Sequence, residues 1–490
     1  PYLTSPLKDI PYPPHAQESF FGGHVAAVNE MPRGDNLRKW IDTIPNSGFI
    51  QWRGPFHGFP TVMLTTIEGL QEALIGHPYD FEKVALDRIF LEKFLGRGLI
   101  VVEGSEHKFQ RKHLQPAFAG SQIKGLIPLF WSKSGEFVEV LANELHGTGN
   151  AVEKKSGVLE IDAFASRVTI DIIGMACLGR DLNAIHNSGD KIVEQYDKIL
   201  TPTDGSKLLM LLGTILLPLQ VARRLPPLSP ILRDVRDAAD GRHNLRILCR
   251  QLMETKRRDM ETQNEKHIDI ISTLIRSGNF NDDQLVDQIL TFLAAGHETT
   301  SNAFVWTAYL LAGHPEEQAK LRDELKARFG HTPPEKISDT DLDALPYLNA
   351  VVSEQMRLWP VVPLTGRGAA RDTTLLGRFI PKGTIVAMCP WAINRSEKFW
   401  GKSAASFEPS RWLAEDGTEL PPSKRSPLTM LTFLAGPRSC IGQAFSRAEL
   451  KCLVIRFVMR FHMELANPDE TMETGGMITI KPKHGLKLRL

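Results

Sequence analysis

The chain has 490 residues, 42% hydrophobic and 23% charged, a composition that can bury a large core and that excludes disordered and collagen-like classes. Its 58 basic and 57 acidic side chains nearly cancel, so net charge gives no reason to expect a nucleic-acid partner. Five cysteines, Cys177, Cys249, Cys389, Cys440 and Cys452, are widely spaced without a CxxC pair, which argues against a disulfide framework or zinc cluster and for a reducing compartment.

Residues 1–17 are rich in proline and show neither helical nor strand period, so they read as an extended lead-in. No internal repeat or long linker follows, and residues 18–490 are expected to form one domain. The most apolar stretch, Leu208 to Leu219, is broken by Gly213 and Pro218 and falls short of the ~20 residues that span a bilayer. Asp282 to Ala312 runs without proline behind Asn281, a plausible N-cap, which predicts one core helix of ~46 Å. A second helix is predicted from Pro346 to before Pro360, and a third from Gly442 to about Arg460. Strand signals come late, at Thr373–Leu376, Phe379–Ile380, Thr384–Met388 and Met477–Leu490, so the β part is expected to be small.

Four places are candidates for carrying chemistry. Cys440 sits in a glycine-bounded loop immediately before the third helix, where N–H groups and the positive end of a helix dipole favour thiolate, a known axial ligand of haem iron. The alternative is a buried structural cysteine. Ala295-Gly296-His297-Glu298-Thr299-Thr300 is a polar cluster inside an apolar helix and demands partners or a function. Either Thr299 bonds back to the carbonyl of Ala295 and bends the helix at Gly296, or the cluster faces a reacting group; His297, 100° round from Glu298, reads as a packed or solvated histidine and not an axial ligand. Glu354 and Arg357 are three apart on one helix face, as are His107 and Arg111 at a spacing of four, and such pairs alone are weak signals.

Phe433-Leu-Ala-Gly436-Pro-Arg438-Ser-Cys440-Ile-Gly442 resembles the cysteine-ligand loop of the cytochrome P-450 family, F-x-x-G-x-R-x-C-x-G, at every specified position. A chance match of five fixed residue types is on the order of one chain in ten thousand. Ala295 to Thr300 resembles the family's A/G-G-x-D/E-T-T/S, Glu354 to Arg357 its E-x-x-R, and Phe407 to Trp412 its later arginine motif, with Ser410 where glutamate is usual. The helix after Gly104 resembles the one carrying W-x-x-x-R, with His107 in place of tryptophan; Asn394-Arg395 departs from the usual His-Arg. The resemblance covers roughly Gly104 to Leu490 and is closest to eukaryotic microsomal, filamentous fungal members.

The resemblance implies a mainly α fold with a smaller β-rich lobe, built round the long helix. It implies haem b (iron protoporphyrin IX) on Cys440, with Phe433 beside the sulfur, Gly442 closing the loop, and Arg438, Arg367, His107 and Arg111 at the propionates. Ala295 and Gly296 face the haem, Thr299 holds the oxygen and Glu298 feeds protons. Glu354, Arg357 and Arg411 form a structural ion network. Phe292, Val361, Val362, Leu364, Met477 and Ile478 line an apolar substrate site. The reaction implied is insertion of one atom of O2 into a lipophilic small molecule of secondary metabolism, with NADPH electrons from a diflavin reductase. A haem-thiolate isomerase, dehydratase or coupling enzyme and a non-enzymatic haem sensor or carrier are the rivals. A monomer is expected. The proline-rich start resembles the hinge after an apolar anchor, so an anchor preceding Pro1 and the cytosolic face of the endoplasmic reticulum membrane are expected. Arg111, Lys112, Lys424, Arg425, Arg447 and Lys451 are read as the cationic docking face for the reductase.

Overall fold

The computed structural model describes residues 6–54, 61–146, 157–186, 189–200, 219–224, 226, 230–262, 269–420, 427–476 and 478–490. Leu208 to Pro218, Lys424, Arg425 and Met477 lie outside them. Among the described residues no helix is long and apolar enough to cross a membrane.

The chain divides into two compact units. The first comprises 1–84, 143–165 and 299–490, the second 85–142 and 166–298. The long predicted helix runs unbroken over Asp282–Gly313 and contributes to both. Its start is written in the sequence: the Asn281 side chain accepts from the Gln284 amide at 2.9 Å while the Gln284 side chain accepts from the Asn281 amide at 3.0 Å, a reciprocal cap.

The first unit holds a five-stranded sheet in the order Phe49–Trp52, Thr61–Leu64, Ile385–Met388, Thr365–Ala369, Phe81–Lys83. All its pairings are antiparallel except Thr61–Leu64 with Ile385–Met388. Three of the five strands come from the first 83 residues, whereas the sequence placed the β signal late. Phe49–Trp52 and Thr61–Leu64 are buried at every position, so they lack the alternation that marks a half-exposed strand. The helices Pro346–Leu358 and Gln443–Arg460 match their sequence expectations and pack in this unit. The architecture is mainly helical with small sheets, as the sequence resemblance implied.

In the second unit the first half of the long helix fixes the segment that leads into the helix Gly104–Leu114. Asp287 accepts from the Arg97 amide at 2.8 Å and Gln288 from the Leu99 amide at 3.1 Å. The Gln288 side chain donates to Gln110 at 2.8 Å, and Gln110 donates to the Arg97 carbonyl at 2.9 Å. Gly98 is required there, since a Cβ would lie 2.0 Å from the Thr291 hydroxyl. Gln288 is fully buried, so Gln288→Leu strands the Leu99 N–H and the Gln110 amide oxygen at about 1–3 kcal/mol each. The expected result is a clearly lower thermal midpoint; an unchanged midpoint would show that this clamp does not hold the segment.

Candidate active site

The cysteine loop lies in the first unit and is held by its own backbone. Leu434 adopts φ 55° and Gly436 φ 72°, a 3-10 turn spans Gly436–Arg438, and the Cys440 amide donates to the Phe433 carbonyl at 2.9 Å. Gly436 is obligatory because a Cβ would meet the Leu74 carbonyl oxygen at 2.1 Å. The helix Gln443–Arg460 begins three residues after Cys440, as expected. None of the five cysteines is disulfide-bonded, and Cys440 alone is exposed. Burial pushes the other thiols up, Cys249 and Cys389 to about 12 and Cys177 and Cys452 in the same direction, which leaves them inert.

Arg438 and Arg367 border one recess in this unit, otherwise lined by Ala73, Leu74, Pro78, Phe81, Val386 and Met388. Arg367, on the central sheet, is steadied by Thr365 at 3.2 Å and the Gly366 carbonyl at 3.0 Å, and the Arg438 guanidinium lies 4.8 Å from the Tyr79 ring. The sequence had named both arginines; Tyr79 it had missed, since aromatic contact with a cation leaves no spacing signal.

On the long helix Ala295 is exposed and Gly296, Glu298 and Thr299 are half-buried, between fully buried neighbours such as Leu293. The helix is continuous here, and Gly296 has a packing reason: a Cβ would lie 2.8 Å from Ile173. His297 is buried with its Nε2 2.7 Å from the Ser166 hydroxyl, so of the packed and solvated readings that the sequence left open the structure shows the packed one. In the second unit His107 is buried and Arg111 half-buried one turn later on Gly104–Leu114. Phe292 is buried in the same unit, 5.2 Å from Phe118. In the first unit the Ile480 amide donates to the Val361 carbonyl at 2.8 Å, which draws the segment after Ile478 alongside Val361; Val362 and Leu364 are half-buried and Ile478 is exposed.

The ion network behind the cysteine loop is fully formed. Glu354 and Arg357 have no solvent exposure and pair through two bonds of 2.8 and 2.7 Å. Arg357 also donates to the carbonyls of Asn394 and Ala404 at 2.7 Å and of Ser406 at 3.0 Å. Glu354 accepts from Arg411 at 3.2 Å, Trp412 at 2.9 Å and the Glu408 amide at 3.0 Å. The acid missing at Ser410 is supplied by Glu408, 2.9 Å from Arg411. Asn394 then carries the network forward, donating to Thr432 at 3.0 Å and accepting from the Leu431 amide at 2.7 Å, immediately before Phe433. Sequence reading missed Asn394, Glu408 and Trp412 as members.

One expectation is corrected. Arg447 and Lys451 are not solvated docking cations: Lys451 is 14% exposed and 3.6 Å from Asp343, and Arg447 donates to Ser353 at 3.3 Å over the Phe433 ring. Both lie on the side of their helix that packs inward. Of the other four, Lys112 is exposed, Arg111 is half-buried, and Lys424 and Arg425 fall outside the described residues.

Burial opposes ionisation of Glu354, but the bonds from Arg357, Glu408 and Trp412 more than offset it and hold its pKa below the ordinary carboxylate value. Its stabilisation is therefore present above the unfolded carboxylate pKa and lost as pH falls through the lower folded value. Glu354→Gln leaves the Arg357 charge buried without its partner, at ~3–5 kcal/mol. Ser410→Ala, by contrast, is expected to shift stability by no more than about 0.5 kcal/mol. Thermal unfolding of both variants checks this, and equal losses would refute the roles given to Glu354 and Glu408.

Residues 52–488 match the family described as Cytochrome P450. The chain is 37% identical to cytochrome P450 monooxygenase sphH of Aspergillus fumigatus, over 99% of this chain and 88% of that protein. It is 36% identical to cytochrome P450 monooxygenase FSL4 of Gibberella zeae, over 95% and 83%, and 34% identical to cytochrome P450 monooxygenase FUM15 of Gibberella moniliformis, over 95% and 84%. With likeness of this extent, and with an exposed cysteine in a loop braced by a buried Glu354–Arg357 pair, this oxidoreductase belongs to the cytochrome P450 family.

Proposed function

We propose that the chain is a haem-thiolate monooxygenase that inserts one atom of O2 into a lipophilic secondary metabolite, with electrons from NADPH through a diflavin reductase at the endoplasmic reticulum membrane. The observation that carries this reading is Cys440, exposed in a loop that its own amide closes while the other four thiols are buried.

The residues of the first unit fit iron protoporphyrin IX. A flat apolar ring with two carboxylates needs an apolar wall and cations at its rim, and the recess bordered by Arg367 and Arg438 is built that way. When bound, the haem supplies one-electron and oxygen chemistry that no side chain here provides. Cys440 contributes the sulfur, and Arg367 and Arg438 the propionate contacts. Thr299 holds a proton at Oγ1, and half-exposed Glu298 exchanges it with solvent. The apolar side chains of Val361, Val362 and Leu364 suit a substrate without charge.

Mass spectrometry of products from a lipophilic metabolite panel, with reductase, NADPH and ¹⁸O2, tests the reaction: one ¹⁸O atom per product is expected. Product formed without reductant, or carrying no label, would point to an isomerase or dehydratase. Thr299→Ala should retain substrate-induced spectral shifts but uncouple NADPH consumption from product and release peroxide. Unchanged coupling would remove Thr299 from proton delivery.

A further inference from the structure

We propose that Arg447 acts through Cys440 as a half-buried counter-charge that raises the reduction potential of the thiolate-ligated iron; this rests on the assignment of Cys440 as the iron ligand. Arg447 occupies the second turn of the helix Gln443–Arg460, which follows the cysteine loop. Its Nε is shielded from solvent and has no hydrogen-bond partner among the described residues. One terminal nitrogen donates to the Ser353 hydroxyl on the helix Pro346–Leu358 at 3.3 Å, and the guanidinium carbon lies 5.6 Å from the centre of the Phe433 ring. The neighbours recorded for this cation are thus a hydroxyl and a π-face, and no carboxylate pairs with it among the described residues. Burial lowers its pKa, partly offset by Glu419 acting through space, yet a guanidinium stays charged in proteins.

A cation in such surroundings is costly unless an anion shares its low-dielectric region. The ring beneath it belongs to the residue whose carbonyl receives the Cys440 amide at 2.9 Å, so the charge packs on the patch of the loop that holds the Cys440 backbone. One-electron reduction of ferric to ferrous iron adds one negative charge to that patch and moves no proton; the electron comes from the reductase or from dithionite. A fixed positive charge nearby favours the reduced side, and surrounding charge and dielectric are among the levers on haem potential. Because the cation is shielded, salt should damp its influence weakly.

The test is the midpoint potential of the haem-loaded protein, measured by mediated redox titration at low and high salt, in the parent, Arg447→Gln and Arg447→Lys. The expected result is a more negative potential in Arg447→Gln, near-parent behaviour in Arg447→Lys, and the same difference at both salt concentrations. An unmoved potential in Arg447→Gln overturns the proposal, as does an equal shift in Arg447→Lys, which would assign the effect to packing on Phe433. Should Arg447→Gln fail to load haem, Glu419→Gln serves instead: removing the opposing charge should move the potential upward, and no movement would overturn the proposal. The ferrous carbonyl spectrum of the parent separates the two levels of inference, because absence of the thiolate band there would refute the ligand assignment itself.

Discussion

Glu354 and Arg357 form an ion pair with no access to water, and the segment entering the Cys440 loop is tied to it. Two charges in that setting are tolerable because every polar direction is used: Arg357 is shared between its carboxylate and three backbone carbonyls, and Glu354 takes five hydrogen bonds from four residues. The backbone groups Arg357 grips belong to Asn394, Ala404 and Ser406, long-range partners that no local propensity would bring together. Through Asn394 the pair reaches Leu431 and Thr432, and Thr432 in turn donates to the Met356 carbonyl at 2.7 Å. The segment entering the cysteine loop is therefore tied twice to the helix that carries the ion pair.

This arrangement separates rigidity from reactivity. The loop residues are pinned by backbone geometry at Gly436 and by the Cys440 amide, while the thiol itself is exposed. A ligand cysteine needs that combination, since a thiol held in the core is driven toward its protonated form, as burial does to Cys249 and Cys389. The same core also holds Glu449, fully buried on the post-cysteine helix, whose pKa is pushed well above the carboxylate range by burial with the Thr300 hydroxyl as a partial offset.

Much of this was legible in the sequence, for identifiable reasons. The long helix announced itself by the absence of proline and by its cap, and its observed limits differ from the expected ones by one residue. The cysteine loop and the E-x-x-R pair were legible because their spacing is fixed by contacts within one element. What remained hidden depended on partners far along the chain. Gly436 is needed because Leu74 approaches it, and Gly296 because Ile173 does. Phe49–Trp52 and Thr61–Leu64 escaped because strands buried on both faces show no period. Arg447 and Lys451 were misread as surface cations because a charge on a helix says nothing about which side packs inward; Ser353 and Asp343 decide that.

The central claim is that Cys440, held by this network, is the thiolate ligand of a haem iron. The absorption spectrum of the reduced carbonyl complex, compared between the parent and Cys440→Ser, tests it most directly. The account predicts the red-shifted band of thiolate-ligated haem in the parent and its loss in the variant. Retention of that band in Cys440→Ser, or its absence from haem-loaded parent protein, would contradict it.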